Sequence, residues 1–329
     1  MENSIQDRRL RRTMRLVSDF WLAAAVVILT VVIGGLRPDL FDSANVASVF
    51  KSVSIMVVMV LGLTWVISAG KIDVSFMQVA ALANMSCAFV LEHGWSWGAG
   101  ALLAVGIGIC VGLFNGWLVS VVRLPSLIVT IATAGICASI AAALGQGMVI
   151  RISNPGPLAK LLQPESGLLF PMIIFPVLAI SGLALFFQER LTFGRYIYAM
   201  GQNETAARSV GVPVVKLSIL LFALSGFSSA CAGILLASDL SSGQPMIGGP
   251  FLINGLTVVL LGSMMVRIGK PNILGTLTAA LFLGVFFSGA TLLGLPNYQR
   301  QIIQGVLLLI GLIVATIASG NHRKYLGRH

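Results

Sequence analysis

Charged residues punctuate this 329-residue chain so sparsely that long stretches hold none, and this spacing constrains the fold more than any motif. No Asp, Glu, Lys or Arg occurs between Asp19 and Arg37, between Glu92 and Arg123, between Arg123 and Arg151, or between Asp239 and Arg267. Only 10% of the residues are charged, whereas a soluble domain carries about 25%. The chain is 57% hydrophobic, with a mean hydropathy of +0.96. So few charges cannot cover a water-facing surface. About 20 apolar residues, rising ~1.5 Å each, cross a ~30 Å hydrocarbon layer, so the uncharged runs read as membrane-spanning helices.

The expected fold is therefore all-α, a polytopic membrane protein of about ten helices. These fall near residues 20–36, 52–70, 74–91, 98–122, 124–150, 166–188, 217–238, 251–266, 271–293 and 301–319. Residues 1–19 read as a basic cytoplasmic segment, 20–319 as one transmembrane domain and 320–329 as a cytoplasmic tail. The nine apolar runs behind the first make that first run a retained anchor rather than a cleaved signal.

Lys and Arg placement sets the orientation, because positive loops stay in the cytoplasm. With both termini inside, only Arg37, Lys51, Arg151, Lys160 and Arg300 fall outside, of 21 Lys and Arg in all. The net charge of +10 is thus read as topology. A nucleic-acid partner is not expected, since a DNA-binding face needs its cations clustered on a solvated module.

Several kinds of chemistry have no anchor. A phosphate-cradling G-x-x-x-x-G-K-[ST] loop is missing: before Gly269-Lys270 the first glycine position holds Met264, and Pro271 replaces the Ser or Thr. No G-x-S-x-G or H-E-x-x-H is present. His93, His322 and His329 lie near loops or the tail, and the four cysteines sit inside apolar runs, so neither a metal cluster nor a disulfide framework is expected. All 11 acidic residues fall at proposed span ends or in loops, which argues against an ion-driven carrier with mid-span carboxylates.

Neutral polar residues do lie within the spans, among them Asn115, Thr130, Thr133, Gln146, Asn254, Thr257 and Ser263. They suit a weakly polar path for an uncharged, hydroxylated solute; their ordinary role is interhelical hydrogen bonding. Asp73, beside Ser75, has two readings: a surface pair with Lys71, or a helix break beside such a path. Gly108, Gly112 and Gly116 form small-xxx-small steps on one face, repeated by Gly226 with Ala230 and Ser229 with Gly233. Close helix contact is the ordinary meaning of such steps.

The most informative polar stretch is 189–216. Asn203 is placed to cap a helix, Glu204 to sit at its positive end, Ala206 and Ala207 to favour it, and Gly211 to stop it. A helix of about two turns is thereby offered to the cytoplasm, suited to docking in a partner's groove.

These residues resemble a known family. Gly194-Arg195-Tyr196-Ile197-Tyr198-Ala199, followed by Gly201, Asn203-Glu204, Ala206-Ala207-Arg208 and Gly211, looks like the coupling loop of the ribose-type permeases of bacterial ABC importers, relatives of the branched-chain amino acid permeases. Ser68 to Ser75 is similar to the family's Gly-Gly-Ile-Asp-Leu-Ser-Val-Gly turn. Leu124 to Thr130 and Val258 to Ser263, with Gly269-Lys270 and Gly275-Thr276, agree as well. Departures add bulk where the pattern has glycine: Lys71, Phe76-Met77, Leu261 and Met264-Met265-Val266-Arg267.

The resemblance implies a transport subunit rather than an enzyme. It would move a small neutral sugar across the inner membrane by alternating access, fed by a periplasmic binding protein. Two cytoplasmic ATPase subunits would hold the ATP and magnesium, this chain binding no cofactor of its own. Gly194, Arg195, Gly201, Asn203, Glu204, Ala206, Ala207, Arg208 and Gly211 would form the ATPase-coupling element. Asp73, Ser75, Asn115, Thr130, Asn254 and Thr257 are the candidate path. The lost glycines point to a heterodimer with a second, more typical permease, a homodimer being the other arrangement. A branched-chain amino acid permease and a stand-alone facilitator or channel are the alternatives. A weak echo between Arg123-Leu124-Pro125 and the run Arg267 to Pro271 hints at a parallel repeat.

Overall fold

The computed structural model describes residues 20–163, 170–267 and 269–326. The expected segment 1–19, the start of the 166–188 span and the last residues of the tail lie outside them. From α1 (Phe20–Leu36) and a 3-10 turn (Pro38–Phe41) the chain runs through α2 (Ser43–Ser68), α3 (Phe76–Glu92), α4 (Trp97–Ser120) and α5 (Ser126–Leu144). Strand β1 (Ile150–Arg151) and the short α6 (Leu158–Leu162) follow, then α7 (Ile174–Arg190), α8 (Thr192–Gln202), α9 (Glu204–Ser209) and α10 (Val214–Leu240). Strand β2 (Ser242–Gly243), α11 (Gly249–Gly262), α12 (Ile273–Leu292) and α13 (Asn297–Leu326) complete it.

Among the described residues, α2, α4, α5, α10 and α12 are long and apolar enough to cross a membrane. The pair α7 and α8, bent by 69°, qualifies together as a broken or re-entrant span, and α1, α3 and α11 are shorter apolar helices. The protein is thus a helical, multi-pass membrane protein.

Several expected boundaries move. The second span begins at Ser43, so Lys51 is not a loop residue: it lies within α2 and pairs with Asp239 near the end of α10 at 2.7 Å. The fifth stops at Leu144, where Gly145 caps it, and Ile150–Arg151 instead pairs antiparallel with Ser242–Gly243. The last helix starts at Asn297 and runs to Leu326, past the expected end at 319. Helix also occupies 192–202, within the stretch that resembles a coupling loop and ahead of the one short helix expected there.

Helix α10 packs against α2, α3 and α4, and the glycine steps explain how. A Cβ at Gly108 or Gly112 would run into the α10 backbone at Gly226 or Phe222, and one at Gly226 into Gly108. At Gly233 it would meet the Ala80 carbonyl of α3. Backbones that touch without side chains between them gain dispersion contacts, the main attraction between helices where lipid removes the hydrophobic one. The steps therefore build the fold rather than line a path.

Polar contacts sort the connections into two ends. One gathers residues 68–75, 121–126, 188–214 and 263–272. At the other, Trp97 donates to the Asn154 carbonyl (3.0 Å) and Ser238 to that of Pro155 (2.7 Å). In the 263–270 link, Val266 has φ +63°, although it stands where the resemblance places glycine. A β-branched residue in the left-handed region costs roughly 1–2 kcal/mol.

Gly112→Val is expected to lower the thermal midpoint of the detergent-purified protein by several degrees, about 1–3 kcal/mol of overpacking. Gly106→Val, on the same helix but with no atom within 4 Å of its Cβ, is expected to leave it in place. Equal midpoints for the two variants would contradict this packing.

Candidate functional site

At the first of these ends the α2–α3 hairpin, residues 69–75, is the most heavily bonded segment. Gly70 turns the chain at φ +76°, which a glycine takes without strain. Asp73 then enters the protein with only 2% of its surface exposed. Its Oδ1 accepts from the Ser75 amide (2.8 Å) and hydroxyl (2.6 Å), just before α3, and its Oδ2 accepts from Ser225 of α10 (2.7 Å). Ser75 Oγ in turn accepts from Asn115 Nδ2 of α4 at 2.9 Å. Burial pushes the Asp73 carboxyl above its ordinary value, and the hydrogen bonds from Ser75 and Ser225 act in the opposite direction.

The surface-pair reading of Lys71 with Asp73 is therefore wrong. Lys71 Nζ instead meets Glu204 Oε2 at 3.0 Å. Thr130 joins the same region, its Oγ1 accepting from the Val74 amide at 3.1 Å and donating to the Ser126 carbonyl at 2.9 Å.

Asp73, Ser75, Asn115 and Thr130 are thus brought together, and each is engaged by protein groups. Asn254 and Thr257 stand apart on α11: Asn254 accepts from Gln304, and Thr257 donates to the Ile253 carbonyl of its own helix (2.7 Å). An apolar groove of about 410 Å³ between α1, α2, α7 and α12, lined by residues such as Phe50, Val177 and Leu281, includes none of these six. Ser225 was not singled out from the sequence, although its hydroxyl holds Asp73. A serine within an apolar helix signals only that some polar partner exists.

The second cluster is α8 and α9. The chain leaves α7 through a sharp corner at Leu191, folded back so closely that a Cβ on Gly194 of α8 would strike the Gln188 carbonyl. At Gly201 a Cβ would strike the Ser68 carbonyl, so α8 ends against the end of α2. Asn203 caps α9 as expected, its side chain accepting from the Ala206 amide at 3.0 Å. Gly211, at φ +87°, stops it: its amide donates to the Arg208 carbonyl (3.1 Å), and the Val212 amide donates to that of Ala207 (3.1 Å). Ala207 is buried at 3% and anchors one face, whereas Arg195, Thr205, Ala206, Arg208 and Ser209 are exposed and Val210 is 80% exposed. Glu204 also approaches Arg208 at 3.5 Å.

Behind α8 the Pro271 carbonyl accepts three hydrogen bonds, from Ser68 Oγ (2.8 Å), Gln188 Nε2 (3.2 Å) and Tyr198 Oη (3.2 Å). Arg267 pairs with Glu189 and lies over the Tyr198 ring at 5.2 Å. These contacts bind α2, α7, α8 and the α11–α12 link into one platform. Among the described residues no three His, Cys, Asp or Glu lie together as a metal site.

A mainly helical membrane protein with a capped helix held out at one end of its bundle defines the class. Residues 45–312 match the family described as the branched-chain amino acid transport system / permease component, and the chain belongs to that family. Similar curated proteins include the ribose import permease protein RbsC of Haemophilus influenzae, 28% identical over 291 residues, with 88% of this chain and 90% of the relative covered. The Escherichia coli K12 RbsC is 28% identical over 302 residues, covering 88% and 91%. The autoinducer 2 import system permease protein LsrC of Photorhabdus laumondii is 30% identical over 273 residues, covering 83% and 81%.

Asp73→Ala leaves buried donors of Ser75 and Ser225 without their acceptor, and is expected to cost about 3 kcal/mol. Asp73→Asn, which keeps one acceptor oxygen, should cost less. Thermal unfolding in detergent reads both; an unchanged midpoint for the alanine variant would contradict the network.

Proposed function

We propose that this chain is the transmembrane permease subunit of an ATP-driven ABC importer and moves a small neutral sugar across the inner membrane by alternating access. The observation that carries the reading is α9: a helix capped by Asn203, stopped by Gly211, buried along Ala207 and open along Arg208 and Val210. A membrane-embedded bundle has little use for such an exposed turn unless a partner covers it. The relatives, named as ribose and autoinducer 2 import permeases, support sugar as the cargo class. The chain lacks a G-x-x-x-x-G-K-[ST] loop; in this reading ATP and magnesium belong to separate ATPase subunits, and this chain works by binding and conformational change.

In this reading about ten spans cross the membrane with both termini in the cytoplasm. One of the two ATPase subunits meets the platform of α8 and α9, with Gly194 and Gly201 setting its angle. A periplasmic binding protein delivers the sugar at the far end. Asp73, Ser75, Asn115 and Thr130, with Asn254 and Thr257 on α11, border the helices that rearrange. A second permease completes the assembly, and the strained Val266 together with Lys71 and Leu261 favours a partner of different sequence.

Proteoliposomes holding the purified complex and its binding protein are expected to accumulate at least one of radiolabelled ribose, galactose or xylose only with ATP inside the ATPase compartment. Passage through this chain alone, without ATP, would establish a facilitator instead. Native mass spectrometry of the same complex is expected to read one copy of this chain beside one different permease; two copies would reject the heterodimer.

A further inference from the structure

We propose that the 69–75 hairpin is a strut that carries movement of α9 to α4, α5 and α10, and that Lys71, acting through Glu204, is the positioning residue that ties α9 to it. The inference rests on the reading of α9 as the ATPase-facing helix.

On its inner side the hairpin is bonded to three helices by consecutive residues. The Ile72 amide donates to Ser126 Oγ (3.1 Å) and the Val74 amide to Thr130 Oγ1 (3.1 Å), both on α5. Asp73 accepts from Ser225 of α10 (2.7 Å), and Ser75 accepts from Asn115 of α4 (2.9 Å). Asp73, Ser75, Asn115, Thr130 and Ser225 are all buried, whereas the Ile72–Ser126 bond is exposed; breaking a bond to one of the five buried side chains would leave a polar group without water to replace its partner. The hairpin therefore moves with those helices.

On its outer side it meets α8 and α9 in two ways. The backbones of Gly70 and Gly201 touch: a Cβ on Gly70 would lie 3.2 Å from Gly201 Cα. That contact resists compression. Lys71 Nζ holds Glu204 Oε2 at 3.0 Å, and this contact resists separation. The lysine side chain is only 12% exposed, whereas both members of the neighbouring Glu204–Arg208 pair are above 40%. Less water around Lys71 means less screening, so the hairpin is the stronger of the two holds on Glu204. With its carboxylate turned to the hairpin, Glu204 is not the face α9 offers outward; Thr205, Arg208, Ser209 and Val210 are. Glycine, which the family pattern has at position 71, supplies no such tie.

The test uses the full complex in nanodiscs, with hydrogen–deuterium exchange read on peptides covering 69–78 and 220–228, before and after trapping with ATP and vanadate. Trapping is expected to change exchange in both peptides. Lys71→Met is expected to keep the ATPase subunits bound yet lose about half or more of that change, and the charge swap Lys71→Glu with Glu204→Lys to restore it, as a directly coupled pair requires. A full change in Lys71→Met, or no recovery in the charge swap, would overturn the strut while leaving the importer reading intact. A wild-type chain that never co-purifies with ATPase subunits would overturn both.

Discussion

A hydrocarbon layer offers no hydrogen bonds, so the backbone polar groups that enter it must find their partners within the protein. That constraint explains why the polar structure of this chain is concentrated rather than scattered. Asp73 gathers donors from its own turn and from α10, and the Pro271 carbonyl gathers three from α2, α7 and α8. Asn272 caps α12 through the Gly275 amide (2.7 Å) while its Nδ2 donates to the Met265 carbonyl (2.8 Å). Each node sits at a helix end, where backbone groups are left over, and each therefore joins several helices at once.

The complementary device is the glycine seam. Polar nodes fix the ends of the helices, and Gly108, Gly112 and Gly226 let α4 and α10 touch along their lengths. Together they tie the helices into one bundle, with one end carrying the α8–α9 platform and the other the short β1–β2 ladder. In the proposed reading the subunit works through a difference in energy between two arrangements of the same helices, biased from outside.

Local signals were the readable ones. The Asn203 cap and the Gly211 stop act within one turn of chain, so spacing alone revealed α9. The Gly-x-x-x-Gly steps likewise announced close contact, and the charge-free runs located α1, α4, α10 and α12. Charge used as punctuation misled where a charge has a distant partner. Lys51 read as a loop residue because nothing nearby in sequence shows Asp239 waiting at the end of α10. Asp73 kept two readings, a surface pair with Lys71 or a helix break, since adjacency is visible in a sequence and burial is not. Ser225 and Gln188 were unremarkable as letters, and Tyr198 stood out only within the coupling-loop resemblance; three-dimensional packing aims all three at Asp73 and Pro271.

The central claim is that the exposed face of α9 is where an ATPase subunit sits. The direct test is a Val210→Cys variant, made with Cys110→Ser to remove the exposed native thiol, carrying a maleimide benzophenone and irradiated within the purified complex. The account predicts a cross-linked product whose mass is that of this chain plus one ATPase subunit. Cross-links only to lipid, to this chain or to the external binding protein would contradict it.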